Sequence, residues 1–399
     1  MTERPSGGGI LARGRRIPEN VRAVSVVSLV NDLASELAYP VVPLFLTITL
    51  GAPASVVGLI EGIAEGAAVG LGALSGWISD RAGRRRVPWI GAGYTLTAVA
   101  RGLVAAAAGW GLVLVGRLLD RVGKAARTAP RDALIRDSSD PALVGASFGF
   151  HRALDTIGAS IGPLLAVALL ATGASLRAIL VISVVPGLLA VLLVRRVREA
   201  PARSVAVPRA HGAPRFGRGF WLVVLSASVF SLGNSSNAFL LLRASDLGLS
   251  ATLVILAYAL YNIVYATLAW PFGSLSDRLP RPLVIGGGLV VYLAVYLGLA
   301  RATSSAVVWP LFALYGVYVA ATDGVFKAWL ADHVEGDDAG TAYGIYAGAV
   351  GLSLLVASVL GGVLWTRISP DATFYAGVLA TIAALPLVAL AAVRSRSSR

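Results

Sequence analysis

The chain is a succession of apolar runs, each about as long as a membrane is thick. A helix needs ~20 predominantly apolar residues to cross a bilayer. Runs of that length fall at 21–49, 54–78, 88–109, 111–130, 143–171 and 175–195, and again at 219–243, 251–275, 282–301, 305–330, 340–366 and 371–393. The runs are continuous and lack strict alternation of polar and apolar residues, so helices rather than barrel strands are indicated. The expected fold is an all-α integral membrane protein, with twelve transmembrane helices in two pseudo-symmetric six-helix bundles. Only 14% of the 399 residues are charged and 56% are hydrophobic. That is too little polar surface for a soluble domain of this size, so the excess apolar surface must face lipid.

The break between the two sets of runs, Arg195–Arg218, carries Arg195, Arg196, Arg198, Arg203, Arg209, Arg215 and Arg218 with Pro201, Pro208 and Pro214. It reads as a solvated linker. The expected division is a tail over 1–20, a bundle over 21–195, a linker over 196–218, a second bundle over 219–393 and a tail over 394–399. The first run contains Asp32 and Glu36 and lacks a small-residue cleavage site, so residues 1–20 are expected to be retained rather than removed as a signal peptide. Arginine is concentrated in the tails, the linker and the stretch after the second run, which places both termini in the cytoplasm of a multi-pass protein of the cell membrane. Arg177, Arg243, Arg301 and Arg367 are exceptions on the opposite side. The net charge of +13 is thus an orientation signal, and no nucleic-acid partner is expected. The absence of cysteine excludes disulfides, thiolate metal sites and a cysteine nucleophile.

A charged hinge recurs in both halves. Gly76–Arg86 reads GWISDRAGRRR, and Gly273–Arg281 reads GSLSDRLPR. Gly76, Asp80 and Arg81 match Gly273, Asp277 and Arg278, while Pro280 stands where the first copy has Gly83, before Arg84. GASFGFH at Gly145–His151 is echoed by GTAYGIY at Gly340–Tyr346. Repeated halves suggest a transporter with its site between them, near the middle of the membrane. An acid at the hinge can cap a neighbouring helix or pair with arginine, and so latch one arrangement of the halves. The plainer reading is that the arginines hold the loop in the cytoplasm.

On these residues the chain resembles the major facilitator superfamily. Its hinge is similar to that family's signature between helices two and three, and the resemblance extends over residues 20–393. It implies alternating access between two six-helix halves. Arg117, in GRLLDRVGKAA, resembles an arginine of the family's fourth helix, although Asp120-Arg121 replaces the Gln-Gly pair usual after it. Gly158, Gly162 and Pro163 resemble the GxxxGP element of proton-coupled exporters, without its following Gly-Gly.

Ionisable residues within spans are costly, at ~2.5–3.5 kcal/mol each on insertion scales, and so are functional candidates. Asp32 and Glu36 share one face of helix 1, and Glu61 and Glu65 one face of helix 2. Helix 4 carries Arg117, Asp120, Arg121 and Lys124, with Arg127 and Arg131 further on, and helix 5 carries His151, Arg152 and Asp155. These charges can form a structural ion-pair network. They can also do chemistry, because a carboxyl group in a partly dry cavity can take up and release a proton near neutral pH. The proton-coupling candidates are Asp32 first, then Glu36 and Glu65, with Asp120 and Asp155. Both lysines, Lys124 and Lys327, lie in spans, and Lys327 can pair with Asp323 one turn before it. The second half is softer, with Asn234 and Asn237 in helix 7, Tyr258 and Asn262 in helix 8, and Tyr346 in helix 11. Together with Arg117, Arg121, Lys124 and Lys327 these are candidate substrate contacts, suited to an organic ligand. For the tyrosines, packing is the alternative.

His151, His211 and His333 are far apart in a chain with one methionine, so no soft-metal site is expected. A phosphate-binding GxxxxGK[ST] loop and a nucleophile–base motif are also lacking, so neither an ATPase motor nor an enzyme is expected, and no cofactor. The leading expectation is a monomeric, proton-coupled exporter of a small organic compound, that is, an antiporter whose partners are substrate, protons or another coupling ion, and the bilayer. The alternatives are an organic-anion transporter built on the helix 4 cations, and a membrane receptor or scaffold that moves nothing.

Overall fold

The computed structural model describes residues 17–81, 85–140, 143–200, 216–334 and 339–397. In order these form α1 (Glu19–Ala38), α2 (Ala54–Arg81), α3 (Val87–Ala106), α4 (Trp110–Ser138), α5 (Val144–Ala171) and α6 (Leu176–Leu193). After the linker come α7 (Arg218–Ser231), α8 (Ala238–Asp246), α9 (Ala251–Arg278), α10 (Arg281–Arg301), α11 (Val308–Ala331), α12 (Ala339–Arg367) and α13 (Pro370–Ser397). No strand occurs among the described residues. Eight helices there are long and apolar enough to cross a membrane, beginning with Glu19–Thr49, in which α1 continues through Val41–Leu44 and a wider turn at Phe45–Thr49. The densely charged α4, 29 residues long, is not one of the eight.

The run expected at 219–243 is not one helix. It stops at Ser231 and resumes at Ala238. Between them lies LGNSSN, whose short polar side chains compete with the helical backbone for hydrogen bonds. The break is held by close approach: a Cβ on Gly233 would stand 2.8 Å from Gly377 Cα of α13. Together α7 and α8 occupy the place of that expected run.

The two halves repeat in their packing. In the first, α1 packs on α5 and α6, α4 on α2 and α3, and α3 on α6. In the second, α7 packs on α12 and α13, α11 on α9 and α10, and α10 on α13. The two most extensive contacts between the halves are themselves equivalent: α2 with α12, and α5 with α9; α8 adds smaller contacts with α2 and with Val41–Leu44. This is the pattern of two like bundles facing each other across a pseudo-two-fold axis.

At the α2–α12 crossing the backbones nearly touch. A Cβ on Gly62 would lie 2.9 Å from Leu355 O, and one on Gly362 would lie 2.8 Å from Ala54 O. Gly58 abuts Ser358 O in the same way. Small residues of this kind let membrane helices gain contact through their backbones. The crossing lies at the end away from the chain termini. There a single apolar core extends from the second half across Leu37–Leu46, Val57 and Ile60 of the first. At the terminus end the first half has its own separate core, built on Val21, Val24, Ile90, Tyr94 and Ile135. Among the described residues, apolar packing therefore fuses the halves at the end away from the termini.

At the hinges, Gly76, Asp80 and Arg81 close α2, but their side chains, and all of Gly83 and Arg84, lie outside the described residues. The start of α3 is capped from the linker: Glu199 accepts from the Arg86 and Val87 amides at 3.1 and 2.9 Å. Buried Arg86 pairs with Asp137, at the end of α4. The second half repeats this pair, as Arg281 Nη1 meets Asp332 Oδ1 at 2.6 Å and Arg281 Nη2 meets Asp277 at 3.5 Å. In both halves the bond staples the hinge to its own bundle. Of the remaining hinge residues, Gly273 lies within α9, and Asp277 and Arg278 are exposed at its end.

Two of the arginines that break the charge rule have local partners. Arg243 binds Asp246 and Asp371 at 2.6 and 2.7 Å and donates to two backbone carbonyls. Arg177 donates to Ala105 O at 2.8 Å and lies over the Phe45 ring.

Candidate functional site

The helix 4 charges fall three or four residues apart, so α4 presents them along one side. They face a cavity of about 310 Å³ within the first half. From α4 come Arg117, Asp120, Arg121, Lys124 and Arg127; from α1, Asp32, Ser35 and Glu36, with Tyr39 just past its end; from α2, Glu65; and from α3, Arg101. Ala159 of α5 and Ser183 of α6 complete the wall.

Two ion pairs bridge α2 and α4 at successive turns. Glu61 Oε2 holds Arg117 Nη2 at 2.7 Å, with both side chains buried. Glu65 Oε1 holds Arg121 Nη2 at 2.6 Å, but its carboxylate is 36% exposed. The next residue along this side of α4, Lys124, makes no ion pair among the described residues, although it lines the cavity. Asp120 likewise has no salt-bridge partner at contact distance. Asp32 accepts from Asn31 Nδ2 at 3.2 Å, and Glu36 accepts from the Tyr258 hydroxyl at 3.0 Å. Both donors are neutral.

The Glu36–Tyr258 bond crosses from α1 to α9 and so joins the halves. It is flanked by aromatic contact, with Tyr39 and Tyr258 rings 5.7 Å apart and the Arg117 guanidinium 5.6 Å from the Tyr39 ring. Behind Glu36 lies the GxxxGP-like element. A Cβ on Gly162 would stand 2.7 Å from the Glu36 Cβ and from Leu37 N, and Gly158 abuts Leu29 O. The element seats α5 against α1 within the same half, and Pro163 lies inside α5 just beyond it.

Other expected site residues lie elsewhere. Asp155 is buried against His151, with its Oδ2 3.4 Å from Nε2, and does not line the cavity. In the second half the asparagines and tyrosines bind one another. Asn237 accepts from Tyr315 at 2.7 Å and donates to Tyr261 at 3.1 Å, and Asn234 donates to Tyr318 at 3.1 Å. Asn262 donates to the Tyr258 carbonyl at 3.0 Å. Lys327 is exposed and pairs with Asp323 at 3.3 Å, one turn away, while Tyr346 is half-buried on α12. None of these lines the cavity. They wall the facing half, and Tyr258 alone of the set reaches into the first half.

Arg101 is a cavity residue that sequence reasoning passed over. Its Nη2 donates to Asn31 Oδ1 at 2.9 Å and Ser35 Oγ at 2.6 Å, and its Nη1 is buried without a partner. The available signal was a lone arginine in the middle of an apolar run. Arg127, beside it, donates to Thr97 at 2.7 Å and lies 4.7 Å from the Tyr94 ring centre.

The repeated bundles agree with comparisons to known proteins. A model of the Major Facilitator Superfamily matches residues 24–239 and 222–399. An uncharacterised MFS-type transporter of Methanocaldococcus jannaschii is 35% identical over 383 residues, covering 94% of this chain and 95% of that one. An uncharacterised protein of Mycobacterium tuberculosis is 30% identical over 356 residues, 86% of each chain. Among solved structures, a bacterial homologue of the human lysosomal transporter Spinster, inward-facing and occupied, shares the fold with a TM-score of 0.72 at 18% identity over 94% of each chain. The nucleoside transporter NupG does so with a TM-score of 0.79 at 12% identity, over 92% of this chain and all of that one. The chain belongs to the major facilitator superfamily and is a multi-pass membrane transporter.

Proposed function

We propose that this transporter exports a small organic compound in exchange for protons, with Asp32 and Glu36 as the proton-carrying pair. The observation that supports this most is the Glu36–Tyr258 bond, because the same carboxylate lines the cavity and ties α1 to α9. Protonating Glu36 removes the charge that the Tyr258 hydroxyl stabilises. Proton loading in the cavity then loosens a contact between the halves, which is what a coupled alternating-access cycle requires. Asp32 and Glu36 suit the role better than Glu65, whose carboxylate is committed to Arg121. The close seating of α5 on α1 at Gly162 fixes the turn that carries Glu36. With the termini in the cytoplasm, the fused end is the outer one, so in this arrangement the compound enters the cavity from inside, and protons enter once the halves have rearranged to open outward.

The test uses proteoliposomes and a compound selected by thermal stabilisation from cationic, neutral and anionic sets at two pH values. Asp32→Asn and Glu36→Gln are expected to abolish transport driven by a pH gradient while keeping exchange of labelled for unlabelled compound. Gradient-driven transport at the wild-type rate in both variants overturns the assignment.

A second reading, transport of an organic anion, is favoured by Lys124, a cation at the cavity wall without a carboxylate partner. In that case Lys124→Gln weakens stabilisation by anionic compounds and leaves cationic ones unaffected.

A further inference from the structure

A second cavity, of about 490 Å³, lies at the terminus end of the first half, between the start of α1 and the end of α6. Arg22, Arg195, Arg196 and Arg198 line it, with Glu19 as the one acid. Arginines near a membrane surface can be simply solvated, holding their end of the protein out of the bilayer. These are instead positioned. Val194 and Val197 are buried in the core of this end, so the turn between them directs Arg195 and Arg196 outward, and Arg198 follows. Asn20 clasps the same stretch to α1, donating to Arg198 O and accepting from Arg198 N, both at 2.9 Å. The next residue, Glu199, is fixed on the start of α3. The side chains of Arg195 and Arg196 make no ion pair or hydrogen bond among the described residues.

Below the arginines, toward the membrane, the wall turns apolar. Val26 and Leu193 line the cavity, and Val26 and Leu192 stand 41% and 54% exposed beside Leu188 and Leu189. A ligand that fills both zones must join an anionic head to an apolar tail. Guanidinium groups bind phosphate oxygens in pairs through a planar fork, and basic pockets between helix ends at a membrane surface suit lipid head groups.

We propose that this cavity binds an anionic phospholipid, its phosphate held by Arg195, Arg196 and Arg198 and an acyl chain lying over Val26 and Leu192. Inorganic phosphate shares the head-group chemistry but cannot use the apolar strip. Bound there, the lipid bridges α1 to the end of α6, and so braces the helix that carries Asp32 and Glu36.

Purified protein in a neutral detergent is titrated with dioctanoyl phosphatidylglycerol, dioctanoyl phosphatidylcholine and inorganic phosphate, with binding followed by native mass spectrometry and thermal unfolding. Phosphatidylglycerol is expected to bind and to raise the unfolding temperature, whereas phosphatidylcholine and phosphate at equal concentration do not. The variant R195Q/R196Q/R198Q should bind phosphatidylglycerol on the order of 100-fold more weakly, from the usual contribution per basic residue near an anionic surface. Should that variant fail to fold, R196Q alone is expected to weaken binding roughly fivefold on the same basis. Arg301→Gln with Arg367→Gln, at the opposite end, should leave binding unchanged. Equal binding of the two lipids, undiminished binding by the arginine variants, or an equal loss in the opposite-end control overturns the proposal. A full effect of inorganic phosphate makes this a free-anion site and overturns the lipid assignment.

Discussion

Replacing Arg117 by methionine strands a buried carboxylate. Glu61 is 3% exposed at its side chain and has Arg117, 9% exposed, at 2.7 Å. Breaking such a pair from one side costs about 3–5 kcal/mol, because the remaining charge has lost both water and its partner. The lost contact with the Tyr39 ring adds only about 0.5–1 kcal/mol, so the stranded charge dominates. Removing both charges, in E61Q/R117M, should bring stability back to within about 1–2 kcal/mol of wild type, since hydrophobic replacement of a whole buried pair is often near neutral. Glu61→Gln strands Arg117 in the same way, so the double-mutant cycle is expected to show a coupling of about 4 kcal/mol or more. One turn along the same helices, Glu65 and Arg121 are closer, at 2.6 Å, yet Glu65 is 36% exposed. Water screens that pair, and its cycle should give about 1 kcal/mol or less. Unfolding in mixed micelles, followed by the fluorescence of the eight tryptophans, measures both cycles. Additive effects at Glu61 and Arg117, or equal coupling in the two pairs, would refute the argument that burial rather than distance sets the strength.

Tyr258→Phe removes the donor to Glu36, and a hydrogen bond to a charged group contributes about 1.5–3 kcal/mol. Labelling of a single cysteine at Ser358, buried where the halves are fused, should accelerate about tenfold or more, and an unchanged rate would mean the bond does not hold the halves together. Gly62→Val should have the same effect by a different route: its side chain meets Leu355 O and Val359, and overpacking of about 1–3 kcal/mol pries the crossing open. Labelling as slow as wild type would show that the crossing absorbs the added volume. Arg86→Gln should destabilise by about 3 kcal/mol or somewhat less, because Asp137 is fully buried and keeps only Arg136, at 3.2 Å, whereas Arg281→Gln should cost about 1 kcal/mol or less because Asp332 is 44% exposed. Equal losses in chemical unfolding would contradict that ordering.

Much of this architecture can be read from the sequence because membrane crossing leaves a coarse, local record. Length, apolarity and the repeated hinge suffice for the helical class and for the division into halves. The spacing of Arg117, Arg121 and Lys124 suffices to align them on one side of α4. Arg101 escaped notice because its partners are distant in sequence: Asn31 and Ser35 lie 70 and 66 residues before it. Asn234 and Asn237 invited a ligand because nothing nearby in sequence satisfies them, whereas in the fold Tyr315 and Tyr261 engage both ends of the Asn237 amide, and Asn234 donates to Tyr318 while its Oδ1 stays buried without a partner. The interruption of the seventh run was legible in LGNSSN but was outweighed by the apolar stretch around it.

The glycine crossing near the start of α2 makes that helix a lever with unequal arms. Beyond Gly62 the helix runs on to Arg81, about 30 Å at 1.5 Å per residue. A tilt of about 10° at the crossing swings that far end by about 5 Å, close to one full helical turn. The short arm, with Ala54, Ser55 and Gly58 against α12, is about 12 Å long and moves by about 2 Å or less. A tilt that shifts the fused end by about 2 Å or less therefore becomes, at the other end, a displacement more than twice as large.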